Sequence, residues 1–299
     1  MRTTAAPSLA PRSSWLRYLA CLRPTEILVL QGPPVLGAAF ALRPPLAEHA
    51  GSLALLIVAN LCLVAHVFVV NDWANLGPDL ADPDKTAGVF TANGVEHGEM
   101  GALAMGLLAL ALLLAGALGP AALALAAGVA LSSALYSLPW FDWKGTPLLN
   151  SATHLAGGTL HFLFGYAIGG RLDGRGLLIG LFFALIFTAG HLTQEIRDHQ
   201  GDVRNAIRTN AVAFGPRRTF AASLALFALA HALLAVLAWR SIVPGVLGVF
   251  VLFYAIHVRW SLDTFAEGFS YPNVNRLQMR YRVLYAVIGL AMIVVLWMR

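Results

Sequence analysis

The sequence predicts an all-α, polytopic membrane protein with a bundle of about nine transmembrane helices. Hydrophobic residues make up 58% of the 299 residues and charged residues only 12%, which is about half the charged share of a typical soluble domain. Apolar runs of about 20 residues, the length that crosses a hydrocarbon core, recur along the whole chain. These runs lack the polar–apolar alternation of barrel strands. We therefore expect a single membrane domain over residues 1–299.

The first apolar run holds Pro33 and Pro34, and Arg17 and Arg23 precede it. Its late arginines and paired prolines favour a kinked spanning helix that stays in the protein over a cleaved signal peptide. Each of the other runs is long and uniformly apolar, as a spanning helix requires. The nine predicted spans are 26–42, 51–70, 101–118, 120–138, 153–170, 175–194, 219–239, 242–261 and 283–298.

The positive charges predict the orientation. When nine helices are threaded alternately, fifteen of the twenty Lys and Arg residues fall on the side of the amino terminus. Positive residues concentrate on the cytoplasmic side of membrane proteins. We therefore expect residues 1–22 to form a cytoplasmic tail, in a plasma or inner membrane. The pI near 9.6 reflects this topology, so the lipid bilayer is the expected partner and nucleic acid is not.

Two stripes of oxygen-bearing side chains follow predicted helices two and six. Positions 72, 75 and 79 and positions 195, 198 and 202 share a spacing of three then four, which places each set on one helix face. A lone acidic stripe is usually a solvated helix end, but a matched pair at both inner membrane mouths favours Mg²⁺ bound with a diphosphate. The candidate metal ligands are Asn71, Asp72, Asn75 and Asp79 in the first stripe and Glu195, Asp198 and Asp202 in the second.

Basic and polar side chains surround these stripes. Cations beside carboxylates are expected where a phosphate is held, although positive-inside bias also explains them. The candidate diphosphate-binding residues are Lys85, Arg197, Arg204 and Arg208. Polar residues within spans usually face the bundle interior, where they contact a substrate or bond neighbouring helices. The candidates for an acceptor or cation pocket are His66, Tyr136, Asn150 and His154.

The paired motifs resemble those of the UbiA superfamily of intramembrane prenyltransferases. Members carry NDxxDxxxD after helix two and DxxxD after helix six; Asn71-Asp72 with Asp79 matches the first motif, and Asp198 with Asp202 matches the second. The resemblance implies a nine-helix bundle with a cytoplasm-facing site. It also implies Mg²⁺-dependent ionisation of an allylic prenyl diphosphate and transfer of the prenyl group to a small-molecule acceptor, aromatic or otherwise nucleophilic. The catalytic residues it implies are Asp72, Asp79, Asp198 and Asp202.

The first motif departs from the family pattern in two places. Asn75 stands where members carry Asp, and Lys85-Thr86-Ala87-Gly88 replaces a common Arg-Pro. Relaxed first motifs also occur in the family's terpene cyclases, so a cyclase that needs no acceptor is the alternative enzyme. A polytopic transporter is a third interpretation, but its charged groups are expected near the midplane and these carboxylates gather at one membrane face.

Overall fold

The computed structural model describes residues 15–42, 45–81 and 86–298, and these ranges contain helices and no strand. The predicted all-α class is therefore confirmed. Residues 1–14 of the predicted tail lie outside the described residues. The α-helices are α1 (Leu16–Cys21), α2 (Pro24–Val29), α3 (Gly32–Ala41), α4 (Ala50–Ala74), α5 (Leu76–Ala81), α6 (His97–Leu118), α7 (Pro120–Ser137), α8 (Leu149–Tyr166), α9 (Gly174–Arg204), α10 (Asn210–Phe214), α11 (Pro216–Trp239), α12 (Phe253–Glu267) and α13 (Tyr271–Trp297).

Within the described residues, seven helices are long and apolar enough to cross a membrane. They are α4, α6, α7, α9, α11, α13 and the helical stretch 245–267 that ends in α12. The other two predicted spans are the broken pair α2–α3 and the 18-residue α8, which carries Asn150, His154 and His161. The predicted number of nine is thus approximate. The first predicted span is broken between α2 and α3, and α8 carries polar side chains, so these two differ from the seven long apolar helices.

Several helices extend beyond the predicted spans. Helix α9 continues to Arg204, ten residues past the predicted end, so the whole second stripe lies on one helix. Helix α13 begins at Tyr271, twelve residues before the predicted start. Hydropathy marks where the hydrocarbon ends, whereas a helix that satisfies its own backbone groups can continue into the polar interface. The carboxylates of α9 are therefore held on a rigid extension.

The break in the first span is stabilised by a neighbouring helix. Helix α2 ends one residue before Leu30, and Gly32 and two prolines begin α3. The Asn60 side chain of α4 donates a hydrogen bond to the Leu30 carbonyl at 3.0 Å. The same side chain accepts a 2.7 Å hydrogen bond from His161 Nε2 on α8. A carbonyl freed by a kink inside a membrane needs such a partner.

Helix α3 packs closely against α8 through small residues. A Cβ atom built on Gly165 would lie 1.8 Å from the Pro34 carbonyl oxygen, and one on Gly37 would lie 2.2 Å from the Phe162 oxygen. Glycine at these positions lets the two backbones touch, which is how helices commonly associate in membranes. This contact holds the first span, and with it Arg23, against the centre of the bundle.

The end of the bundle opposite the two stripes has its own polar features. Asp173 caps α9 by accepting the Gly176 N–H at 2.8 Å, and this hydrogen bond holds the pKa of the Asp173 carboxyl below its usual range. A cavity of about 940 Å³ opens there between Phe40, Tyr166 and Arg171. The carboxylate stripes lie at the other ends of the helices, so this cavity is not the predicted site.

Candidate active site

Asp72, near the end of α4, is neutralised by an arginine from the start of the first span. Arg23 Nε donates to Asp72 Oδ2 at 3.2 Å, and a second guanidinium nitrogen donates to Oδ1. The Asp72 side chain is only 18% exposed. A carboxylate that is mostly removed from water requires a positive partner. The first stripe thus already holds a cation, here a guanidinium.

Asn75 lies at the junction of α4 and α5 and contacts a lysine from another loop. Its side-chain nitrogen donates to the Asn71 carbonyl at 2.6 Å, and its Oδ1 accepts from Lys144 Nζ at 3.0 Å. The amide that replaces the family's carboxylate therefore still presents an oxygen to a cation. In the sequence, Lys144 contributed only to the count of positive charges, and its contact with Asn75 was not predicted. A lone lysine after α7, on the predicted inner side, was the feature that could have indicated it.

The second stripe carries an arginine of its own. Arg197 donates from Nε and Nη2 to the two Asp198 carboxylate oxygens at 2.8 and 2.9 Å. Its Nη1 donates to Gln278 Oε1 of α13 at 3.0 Å. Asp202 accepts a hydrogen bond from Thr209 Oγ1 at 3.3 Å. The predicted diphosphate-binding Arg197 therefore lies directly on a predicted metal ligand.

Glu195 is buried and fully engaged by protein donors. Its Oε1 accepts from Asn150 Nδ2 at 2.6 Å and from Asn210 Nδ2 at 3.1 Å, and His191 Nε2 lies 3.0 Å from the same oxygen. Its Oε2 accepts the Ala211 N–H at 3.2 Å. Asn210 was not among the predicted site residues, because its partners Asn150 and Glu195 lie 60 and 15 residues away along the chain.

Aromatic rings and imidazoles gather beside Glu195. The His154 and His191 rings stack with centroids 3.5 Å apart, Tyr136 meets His154 edge-on at 4.9 Å, and Phe187 lies 5.5 Å from His154. The structure therefore brings the predicted Tyr136 and His154 together with Asn150. His66 lies elsewhere, where its Nδ1 donates to the Ala104 carbonyl of α6 at 2.8 Å.

Two of the remaining predicted basic residues lie at the end of the second stripe. Arg204 ends α9 and Arg208 is exposed in the segment that follows. Lys85 lies outside the described residues. The diphosphate-binding role of these three side chains stays a prediction.

The oxygen donors at the two stripes suit Mg²⁺, which prefers carboxylate oxygens and usually shares them with substrate phosphates. The described residues include no group of three or more His, Cys, Asp or Glu side chains arranged around a common metal position. Instead, Asp72 and Asp198 are each paired with a guanidinium. The oxygen donors of the stripes therefore fit the predicted cofactor by their chemistry, and the cations that contact Asp72 and Asp198 in this structure are guanidinium groups.

A membrane bundle that carries paired acidic stripes with basic partners at one end of its helices has the organisation of an intramembrane enzyme for diphosphate esters. Residues 32–267 match the UbiA prenyltransferase family. This chain belongs to that family and is an integral membrane prenyltransferase, as the paired motifs predicted.

Known proteins support the same assignment. The lycopene elongase/hydratase of Haloferax volcanii is 31% identical over 281 residues, which cover 92% of this chain and 87% of its own. A UbiA homologue from Archaeoglobus fulgidus, solved with DMAPP and Mg²⁺, has a TM-score of 0.72 at 20% identity and covers 93% of this chain and 99% of its own. A structure concerned with digeranylgeranylglyceryl phosphate synthase has a TM-score of 0.69 at 18% identity and covers 95% and 99%. The Mg²⁺ in the first structure agrees with the predicted cofactor.

Proposed function

We propose that this protein transfers a prenyl group from a short allylic diphosphate, with Mg²⁺, to the terminal double bond of a long apolar polyene of the lycopene type. The observation that carries this proposal is the similarity to a lycopene elongase/hydratase over 92% of the chain. The solved UbiA homologues that bind DMAPP or GPP support a short allylic donor.

The diphosphate would lie between the two stripes. Asp72 and Asp79 on one side and Asp198 and Asp202 on the other would hold Mg²⁺, which supplies charge neutralisation to the leaving diphosphate. Arg23, Arg197 and Lys144 lie on or beside these carboxylates and would turn toward the phosphate oxygens when the metal takes their places. Bidentate guanidinium contacts suit phosphate groups particularly well.

The reaction breaks the allylic carbon–oxygen bond, and the diphosphate leaves with the electron pair. The electrons of the acceptor's terminal double bond then form the new carbon–carbon bond. The resulting tertiary cation loses a proton in an elongation, or takes up water and releases a proton in a hydration. The stacked imidazoles and the Tyr136 ring provide faces that stabilise positive charge and exclude bulk water.

The contacts of the predicted pocket residues favour an acceptor without polar groups. The Asn150 amide donates to Glu195 and accepts from Asn210 at 2.7 Å, and His66 is bonded to a backbone carbonyl. Because Asn150 and His66 already have partners within the protein, a hydroxylated aromatic acceptor would find these two side chains occupied. A hydrocarbon acceptor needs none.

The site would face the cytoplasm. Arg197, Arg276 and Arg280 lie toward the end of the bundle that carries the stripes, in keeping with positive-inside counting. The donor diphosphate is highly charged and would enter from that aqueous side, while the acceptor would enter from the bilayer.

The test uses purified protein in liposomes with Mg²⁺, dimethylallyl diphosphate and lycopene. The products are separated by chromatography and their masses are measured by mass spectrometry. The proposal predicts products enlarged by one or two five-carbon units, with diphosphate release that depends on lycopene. In a parallel arm with geranylgeranyl diphosphate and no acceptor, rapid diphosphate release with cyclic terpene products would identify a cyclase. Transfer to a hydroxylated aromatic compound but not to lycopene would overturn the proposed acceptor.

A further inference from the structure

Glu195 shares the spacing of the second stripe, but its contacts differ from those of Asp198 and Asp202. It is 4% exposed, and both its oxygens accept hydrogen bonds from fixed protein donors, namely Asn150, Asn210 and the Ala211 backbone. A carboxylate with several such bonds has few lone pairs to offer a metal. Its environment is that of a structural acceptor.

The network around Glu195 connects the two metal-binding stripes. Asn150 Nδ2, besides bonding Glu195, makes a longer 3.4 Å contact to the Lys144 backbone oxygen. Lys144 Nζ in turn donates to Asn75 Oδ1 of the first stripe at 3.0 Å. A path therefore runs from α9 through the start of α8 and along the Lys144 side chain to the junction of α4 and α5.

The same network holds an unfavourable backbone conformation. Leu148, which precedes α8, has φ +65°, and residues other than glycine rarely adopt this region. Asn210 Oδ1 accepts the Leu148 N–H at 2.7 Å, and Asn210 Nδ2 bonds Asn150 and Ser151. Such strain persists where surrounding contacts fix it, which indicates that the position of this loop matters.

We propose that Glu195, Asn150 and Asn210 form a positioning lock that sets Lys144 between the two stripes, and that Glu195 is not a metal ligand. The lock rests on the proposed function, since Lys144 is the group that it delivers to the diphosphate. Glu195 acts through Asn150 and touches neither metal nor substrate. Lys144 Nζ is the cation that the lock presents.

The first measurement separates a positioning residue from a ligand without turnover. Mn²⁺ replaces Mg²⁺ and its binding is followed by electron paramagnetic resonance in the purified protein. Asp198→Asn should weaken Mn²⁺ binding by more than the about 10- to 100-fold that loss of an outer-shell partner costs, whereas the isosteric Glu195→Gln should bind Mn²⁺ nearly as the wild type does. Equal weakening in the two variants would overturn the proposal.

The second measurement is a double-mutant cycle on the binding of dimethylallyl thiolodiphosphate, an analogue that ionises poorly, by calorimetry. Glu195→Gln and Lys144→Met should each weaken binding by about tenfold, and the double variant should be no weaker than Lys144→Met, because contacting groups are not additive. Asn150→Ala should behave as Glu195→Gln does. Additive losses would show that Glu195 acts independently of Lys144 and would overturn the lock.

Thr193→Val is the matched control. Thr193 is on α9, is 2% exposed and bonds Ser223 at 2.9 Å, so its replacement removes a buried hydrogen bond outside the lock. It should leave both binding measurements unchanged; a loss equal to that of Glu195→Gln would mean that any loosening of α9 has this effect. Wild-type protein that binds neither Mn²⁺ nor the analogue would instead overturn the proposed function itself.

Discussion

Replacing Arg23 by glutamine should lower the metal concentration that half-saturates the site and raise the KM for the prenyl diphosphate. Arg23 makes a two-point contact with the Asp72 carboxylate, so a divalent cation that uses Asp72 must first displace the guanidinium. Glutamine carries no charge, which makes that displacement easier. The guanidinium, once displaced, can bind a phosphate oxygen, and the variant loses that contact.

The exposure of the pair sets the size of the effect. The Arg23 side chain is 42% exposed, so water partly screens the interaction from that side, whereas the Asp72 side chain is only 18% exposed. Its free energy then lies near the upper end for exposed pairs, about 1 kcal/mol. Since 1.36 kcal/mol corresponds to a factor of ten, the metal requirement should fall by about fivefold. The KM should change in the opposite direction.

The assay measures Mn²⁺ binding without substrate and diphosphate release with it. Arg17→Gln is the control, because Arg17 lies in the same amino-terminal segment and pairs with Glu99 at 2.5 Å, outside both stripes. It should leave the metal requirement unchanged. A rise in the metal requirement of the Arg23 variant, or equal changes in the two variants, would refute the argument that the guanidinium occupies the metal's position.

The remaining predictions concern packing, the second stripe and orientation. Gly165→Ala should destabilise the protein by about 1–3 kcal/mol in thermal unfolding, because its Cβ would lie 1.8 Å from the Pro34 carbonyl oxygen. Gly157→Ala on the same helix is the control and should leave the stability unchanged, because its Cβ would meet nothing within 4 Å. Asp198→Asn should reduce diphosphate release by about a hundredfold or more, while retained turnover would contradict the site assignment. A single cysteine at position 174, with the native cysteines replaced, should react with an impermeant thiol reagent only from outside.

The membrane explains why so much of the fold could be predicted from the sequence. A spanning helix must satisfy its own backbone groups and be apolar for about 20 residues, so hydropathy located α4, α6, α7 and α11 with small errors at the ends, whereas α9 continues ten residues past its predicted end. The break between α2 and α3 was foreshadowed by Pro33 and Pro34. Its stabilisation by Asn60, thirty residues away, could not be seen in the pattern.

The candidate site divides in the same way. Regular spacing on one helix identified both stripes, because residues three and four apart share a face. Lys144 and Asn210 were missed because their partners are far along the chain: Lys144 bonds Asn75 across 69 residues, and Asn210 bonds Asn150 across 60. Spacing also placed Glu195 among the metal ligands, but it could not reveal the donors from α8 and α10 that surround its oxygens.

The buried hydrogen bonds also bear on how an allylic cation survives here. A cation beside a free amide or hydroxyl oxygen would be captured by that lone pair, so a transferase must keep such groups engaged while it stays open to its acceptor. The Asn150 amide is bonded at both ends, and its oxygen accepts the Asn210 side-chain N–H. The stacked His154 and His191 rings and the Tyr136 ring lie beside this amide. In the proposed reaction, the double bond of the hydrocarbon acceptor is the electron pair that captures the cation.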